Sequence, residues 1–294
     1  MIQDIAPHRY STEYQQKKPK DTDTVFVFGG LRKREHRMLC KEIMEEGISE
    51  GELAFPTAGQ LLAAGAGTED MQFLFSIDGA DYYLLMQFGT VETALQLSGY
   101  SYEPNRLLRR CRPQLLCFAA MTAYHLFDWY QVNQFCGCCG AKTKPFEKER
   151  AIRCPDCGNL VFPKICPAVI IGLRNGSSIL TSRYAGREYK GVALLAGFCE
   201  IGETVEETVA REVMEEVGLK VKNITYYKSQ PWGFDSNLLL GFYCDVDGDT
   251  DITIDRDELA IAEWTDRETL RNSPDNLLAL TGEMIDTFRR GEDR

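Results

Sequence analysis

Hydrophobic residues fall into two strand-like patterns and one helical one along this 294-residue chain. Short apolar runs closed by glycine predict buried strands: Thr24 to Phe28 before Gly29-Gly30, and Val192 to Ala196 before Gly197. Alternation predicts half-buried strands. Phe73, Phe75 and Ile77 precede Asp78-Gly79, and Tyr82, Leu84 and Met86 follow it, which is a hairpin signal. Val169 to Leu173 and Ser178 to Ser182 flank Asn175-Gly176 in the same way. Helices are predicted over 37–46, 115–131 and 205–217. The last has Thr204 as N-cap, Glu207 three residues on to complete a capping box, and Gly218 as its stop.

Composition narrows the class. Apolar residues make up 44% and charged residues 26%, which fits a folded globular chain and excludes a disordered or collagen-like one. At ~150 residues per domain the length suggests two domains. The 33 basic and 44 acidic side chains leave −11, which argues against a general polyanion-coating protein. It leaves room for a local basic pocket, or for a cleft whose carboxylates hold metal cations. No window approaches ~18 consecutive apolar residues, so no membrane span is expected. The polar N-terminus shows no secretory pattern, and the terminal GEDR matches no address tag. A cytoplasmic location is expected, with the eleven cysteines as thiols or metal ligands.

Six cysteines (Cys40, Cys111, Cys117, Cys166, Cys199 and Cys244) sit among apolar neighbours and read as buried structural thiols. The other five cluster. Taking Cys136 with Cys139 and Cys154 with Cys157 gives C-x2-C, 14 residues, C-x2-C. Two such turns let four thiolates converge on one ion, a closed structural Zn2+ site; Cys138 leaves a register ambiguity that the second knuckle's spacing resolves toward Cys139. His8, His36 and His125 show no ligand spacing, and His125 reads as a packed or capped imidazole. Arg106, Arg109, Arg110 and Arg112 read as a solvated basic face, with phosphate contact as the alternative.

The 205–217 helix carries the chemistry. At ~100° per residue, Glu215 lies about 60° behind Glu212 and Glu216 about 40° ahead of it. Like charges packed so closely repel. Either divalent cations bound by carboxylate oxygens compensate them, or basic partners on a solvated face do, and only Arg211 is near in sequence.

Residues 197–219 fit G-x5-E-x7-R-E-U-x-E-E-x-G-U (U, a bulky aliphatic) at every defined position, and so resemble the Nudix box. Downstream, Ser229-Gln230-Pro231-Trp232-Gly233-Phe234-Asp235-Ser236 is similar to the SQPWPFPxS signature of the NADH pyrophosphatase branch. Gly233 and Asp235 replace prolines there, and Asn237 replaces a serine. Those changes should loosen the loop. Asn133-Gln134-Phe135-Cys136 resembles the branch's NRFC, and Phe73 to Gly79 (FLFSIDG) is also similar. The resemblance is strong over 115–264 and weak over 1–114.

The resemblance implies an α+β chain in three parts: an α+β N-terminal domain over 1–132, a zinc ribbon over 133–165, and a Nudix domain over 166–294. The last would be a mixed sheet sandwiched between helices. It also implies Mg2+- or Mn2+-dependent hydrolysis of NAD(H) to nicotinamide mononucleotide and AMP, by a homodimer, with the NAD-capped 5′ end of RNA as a second substrate. By the same resemblance, Glu212, Glu215, Glu216, Glu258 and the Ala196 carbonyl hold the metals. Arg211 orients a box glutamate, and Glu203 is structural. Phe198, Phe162 (facing the partner subunit's site), Glu149 and residues 230–237 (Gln230, Pro231, Trp232, Gly233, Phe234, Asp235, Ser236 and Asn237) contact substrate. Other readings are a broader hydrolase of ADP-ribose or diadenosine polyphosphates, and a non-catalytic nucleotide sensor or RNA-binding module. A sensor would be free to lose box carboxylates, and here all are present.

Overall fold

The computed structural model describes residues 1–43, 52–89, 95–109, 111–186, 191–272, 276 and 278–293. They divide into two compact units: residues 2–164 with 233–235, and residues 165–232 with 236–293 and Met1.

The first of these carries β1 (Tyr10–Ser11), β2 (Thr24–Phe26), β3 (Phe28–Gly29), β4 (Arg37–Ile43), β5 (Glu52–Ala54), α1 (Ala58–Ala63), β6 (Met71–Ile77), β7 (Ala80–Leu85), β8 (Ser101–Pro104) and α2 (Gln114–Val132). One sheet runs β1-β6-β7-β2, and the β6–β7 hairpin turns at Asp78-Gly79 as predicted. A second sheet joins β3, β4, β5 and β8. Its strand β4 corrects the helix expected over 37–46. Met38, Leu39 and Cys40 are buried in succession because both faces are covered, and β4 pairs with β3, β5 and β8. Pairing to remote strands overrides a local helical pattern. Residues 44–46 of that expected helix lie outside the described residues.

The zinc ribbon lies in the same unit. Its β9 (Lys144–Pro145), β10 (Ile152–Arg153) and β11 (Leu160–Val161) form a three-stranded antiparallel sheet in the order β11-β10-β9.

The other unit contains β12 (Cys166–Asn175), β13 (Ser178–Tyr184), β14 (Leu195–Phe198), α3 (Val205–Val217), β15 (Val221–Trp232), β16 (Asn237–Val246), β17 (Leu259–Asp266) and α4 (Leu280–Arg290). Central β12 pairs in parallel with β16 and antiparallel with β13 and β14, so the sheet is mixed. β14 starts later than the predicted apolar run and continues through Gly197, which puts that glycine inside a strand. On one face, Val169, Ile171 and Leu173 of β12 pack against Val209, Val213 and Val217 of α3. Each buried valine contributes about 1.5–3 kcal/mol. On the other, Gly172 leaves room for the Tyr243 ring and Gly241 for Met284 of α4. The result is a sheet between two helices, the arrangement the resemblance implies.

α3 occupies the predicted residues, and both halves of its capping box form. Thr204 Oγ1 accepts from Glu207 N at 3.2 Å, and Thr204 N donates to Glu207 Oε2 at 2.8 Å. Gly218 ends it in the left-handed region (φ 71°). Cys40, Cys111, Cys117 and Cys244 are buried as expected, but Cys166 and Cys199 are only half-buried. They lie near the ends of β12 and β14, where the ladder opens.

Candidate active site and zinc centre

The zinc site is built from two like turns. In each, a C-x2-C-G stretch closes with the glycine amide donating back to the first cysteine's carbonyl: Gly140 N to Cys136 O at 2.9 Å and Gly158 N to Cys154 O at 3.1 Å. Both glycines have positive φ (78° and 77°), a conformation that side-chain-bearing residues rarely adopt. The sulfurs of Cys136, Cys139, Cys154 and Cys157 all lie within 4.8 Å of one another. The Cys136–Cys157 and Cys139–Cys154 separations are 3.6 and 3.4 Å. A tetrahedron with Zn–S bonds of about 2.3 Å has sulfurs about 3.8 Å apart, so the set fits one Zn2+ with no open position. Backbone amides of Cys139 and Cys138 pull the Cys136 thiol down to about 6, toward the thiolate a metal needs. Cys138 is exposed and stands outside the cluster, which resolves the register ambiguity in favour of Cys139.

The carboxylate cluster forms where β14 meets α3. Arg211 is its hub. Nε donates to Glu203 Oε1 at 2.6 Å, and Nη2 donates to Glu203 Oε2 at 3.0 Å and to the Phe198 carbonyl at 2.9 Å. Nη1 donates to Glu212 Oε1 and to Glu215 Oε2, both at 2.8 Å. The Arg211 contact, with further bonds from Glu200 N and Thr208 Oγ1, holds the Glu203 carboxyl down at about 2. Arg211 therefore orients three glutamates and ties them to the strand that precedes the helix.

The other side of the helix is unlike a solvated acidic face. Glu212 and Glu216 are only 8% and 2% exposed and lie beside the valine stripe, whereas Glu215 points outward at 58%. Burial raises the Glu212 pKa above the usual carboxylate range. Arg211 opposes the shift, and the charges of Glu215 and Glu258 add to it. Glu258 therefore faces this cluster from the turn before β17, where its carbonyl accepts from Ala185 N at 2.9 Å. Burying an ionised carboxylate costs several kcal/mol unless a cation offsets it.

Gly197 supplies the tightest constraint. A Cβ built on it would overlap the Glu212 carboxylate, so that side chain lies directly against the β14 backbone, one residue past Ala196. Oxygen donors from a strand and a buried helix face fit hard divalent cations such as Mg2+ or Mn2+. The sequence signalled the carboxylates but not this packing of Gly197 against Glu212.

The residues expected at the substrate are distributed unevenly. Phe198 is 54% exposed on β14, beside the cluster it serves through its carbonyl. Pro231 is exposed, while Trp232, Ser236 and Asn237 are buried around a tight turn, with Ser236 at φ 61°. The Asn237 Oδ1 is sealed from solvent with no hydrogen-bond partner among the described residues. Gln230 is fully buried, donating from Nε2 to Leu278 O at 2.9 Å and accepting at Oε1 from Leu280 N at 2.6 Å, so its amide clamps the start of α4.

Gly233 is likewise not a loosened position. A Cβ there would meet the Met121 carbonyl at 2.6 Å, so close approach to α2 demands glycine. The Phe234 ring stacks under the Arg109 guanidinium at 5.1 Å, and Asp235 is exposed. In the zinc ribbon, Phe162 is 54% exposed and Glu149 is exposed. His125 bonds the Lys164 carbonyl at 2.7 Å, the capped imidazole that was expected.

Residues 164–288 match the model of the NUDIX domain, and residues 133–162 match that of the NADH pyrophosphatase zinc ribbon domain. The chain is 45% identical over 140 residues to the NAD-capped RNA hydrolase NudC of Enterobacter sp. (strain 638), which is 47% of this chain and 54% of that protein. Proteins of the same name from Klebsiella pneumoniae (strain 342) and Mannheimia succiniciproducens are 44% and 42% identical, with the same coverage. The chain thus spans about half the length of the curated relatives it matches. Among solved structures, a NUDIX hydrolase from Nitrosomonas europaea aligns with a TM-score of 0.40 and 21% identity, over 46% of this chain and 79% of that one. Among the described residues no helix is long and apolar enough to cross a membrane. Box, sheet and cysteine cluster agree with the two domain matches: this chain carries a Nudix domain directly after an NADH pyrophosphatase zinc ribbon.

Proposed function

We propose that the protein is a metal-dependent hydrolase that splits the pyrophosphate of NAD(H), giving nicotinamide mononucleotide and AMP, and that it acts in the same way on the NAD-capped 5′ end of RNA. The observation that carries this reading is the pair of buried glutamates, Glu212 and Glu216, the first set against the β14 backbone and bonded to an arginine whose five N–H groups are all in use. The relatives named NAD-capped RNA hydrolase support the choice of substrate.

Glu212 and Glu216 would hold Mg2+ or Mn2+, with Glu215, Glu258 and the Ala196 carbonyl completing the set. Bound there, the metal neutralises phosphate charge and lowers the pKa of the attacking water. The chain's own work is positioning. Arg211 fixes Glu212 and Glu215 through Nη1 while Glu203, pinned by Thr208 Oγ1 at 2.9 Å, fixes Arg211. Phe198 offers an exposed ring to a flat base. The Asn237 Oδ1 is an acceptor awaiting a donor. Pro231, Trp232 and Ser236 add substrate contacts from the same unit, and the protein works as a homodimer. One Zn2+ per chain serves as a structural staple.

Incubation with NADH and Mn2+, followed by mass spectrometry, should yield nicotinamide mononucleotide and AMP. A parallel reaction on NAD-capped RNA should yield 5′-monophosphate RNA. Intact NADH alongside cleaved ADP-ribose or diadenosine polyphosphates would reject the substrate assignment.

A further inference from the structure

We propose that residues 32–37 and Arg106 form a surface that binds the phosphates of single-stranded RNA; as a site for the RNA body it rests on the capped-RNA reading above. The stretch Leu31-Arg-Lys-Arg-Glu-His-Arg37 puts four cations within six residues. The fold adds a fifth. Arg37 pairs with Pro104 in the β4–β8 ladder, and the Tyr124 hydroxyl contacts both the His36 ring (Nδ1 at 3.0 Å) and the Asn105 side chain. That brings Arg106 to the same edge.

Arg32, Arg34 and Arg106 are exposed and have no ion pair among the described residues. Lys33 is shared with Asp128 at 3.8 Å, and Arg37 is tied to the carbonyls of Arg34 and His36 at 3.3 and 3.0 Å. Glu35, Glu103 and Asp128 are the carboxylates nearest in these segments, and the charge of Asp235 also reaches Tyr124. The patch therefore holds five cations against four anions in a chain whose total is −11. Three guanidinium groups kept in water without partners, on an acidic protein, are suited to a polyanion supplied from outside.

An exposed aromatic follows the helix that meets this segment. Gln131 Nε2, in the last turn of α2, donates to the carbonyls of Gly30 and Leu31 at 2.8 and 3.3 Å, so the chain leaving that helix runs beside the basic segment. Four residues on, Phe135 is 65% exposed. Cations that track a backbone, with an aromatic face for an unstacked base, match a single strand better than a duplex or a lipid surface.

The test uses a short 5′-monophosphate single-stranded RNA with a 3′ fluorophore and no NAD cap, read by fluorescence anisotropy across a salt series. The triple variant Arg32→Ala, Arg34→Ala, Arg106→Ala should bind at least about tenfold more weakly. Its log Kd against log salt should flatten by about 2, at roughly 0.7 per single-strand phosphate contact. Lysine replacements should retain binding. Phe135→Ala should weaken binding without changing the salt slope. NADH turnover should be unchanged in the triple variant, while kcat/KM on capped RNA falls.

Equal affinity and slope in wild type and triple variant would overturn the proposal. So would a triple variant that loses self-association, or binding to phosphatidylserine vesicles, with RNA affinity intact. A wild-type protein that binds RNA through these arginines yet hydrolyses neither NADH nor capped RNA would sustain this surface and sink the catalytic reading instead.

Discussion

Replacing Gly197 by alanine probes the site where it has least slack. The backbone of β14 is held to β12 over Leu195 to Phe198, with Gly197 opposite Val169, so the strand cannot easily yield. An alanine Cβ would overlap the Glu212 carboxylate, and the side chain must give. Reaching ordinary contact moves that carboxylate by roughly 1 Å or more, and misplacement on that scale costs about 10²-fold in rate, or about 2.7 kcal/mol of barrier. The Arg211 Nη1 bond to Glu212, now 2.8 Å, would be strained with it. Steady-state kinetics on NADH at saturating Mn2+, Mn2+ titration calorimetry and thermal melts together read the outcome. We expect kcat to fall about 100-fold and Mn2+ affinity to weaken, with a stability loss of about 1–3 kcal/mol from overpacking. Gly202→Ala is the control. It lies in the turn between β14 and α3 with φ 97°, but a Cβ there meets nothing within 4 Å. It should cost about 1–3 kcal/mol of backbone strain and leave kcat intact. A Gly197→Ala enzyme with kcat within about threefold of wild type, or a Gly202→Ala enzyme equally impaired, would refute the cradle argument.

Glu216→Gln should cut turnover by at least about 100-fold and weaken Mn2+ binding without lowering the melting temperature, because it removes charge from a position only 2% exposed. Atomic absorption should find one zinc per chain, lost in Cys139→Ser and Cys154→Ser but retained in Cys138→Ser; retention in the first two would place the ligands elsewhere. Burial holds the neutral form of His36, and of His125, lowering both pKa values below their usual 6.5, although Asp128 partly opposes this at each ring. Unfolding then takes up protons, so stability is complete above pH 6.5 and declines as pH falls through the window below it. Melts of His36→Gln should show a shallower decline than wild type, and an equally steep one would assign the effect to other groups.

What the sequence disclosed depended on how far apart the interacting residues lie. The zinc ligands and α3 were legible because their information is local: two cysteine turns closed by glycine, a capping box, and carboxylates at helical spacing. The central β12 was legible because its apolar run is long. Strand β4 was not. Its Met-Leu-Cys run is buried by pairing to strands at 28–29 and 101–104, and the rest of β4 pairs with 52–54; a window of ten residues cannot see those partners. The packing of Gln230 was hidden for the same reason. It sits in a segment that resembles a substrate-binding signature, but its amide is committed to Leu278 and Leu280, nearly fifty residues downstream. Gly233 looked like a loosening substitution until the Met121 carbonyl was found where a Cβ would go.

The charge balance of α3 divides more finely than its periodicity suggested. A guanidinium has five N–H donors, and Arg211 makes five hydrogen bonds: two to Glu203, one each to Glu212 and Glu215, and one to the Phe198 carbonyl. It is saturated, with no N–H left for Glu216 or Glu258. Arg211 thus offsets the outer part of the cluster, where water also screens charge. Glu212 stands at the boundary: one oxygen accepts from Arg211, while burial still drives its pKa upward. A solvated acidic face would show less burial than Glu212 and Glu216 have. A binder of divalent cations needs what is present: two carboxylates withdrawn from water, one of them oriented from behind, both on the side of the helix that meets the sheet.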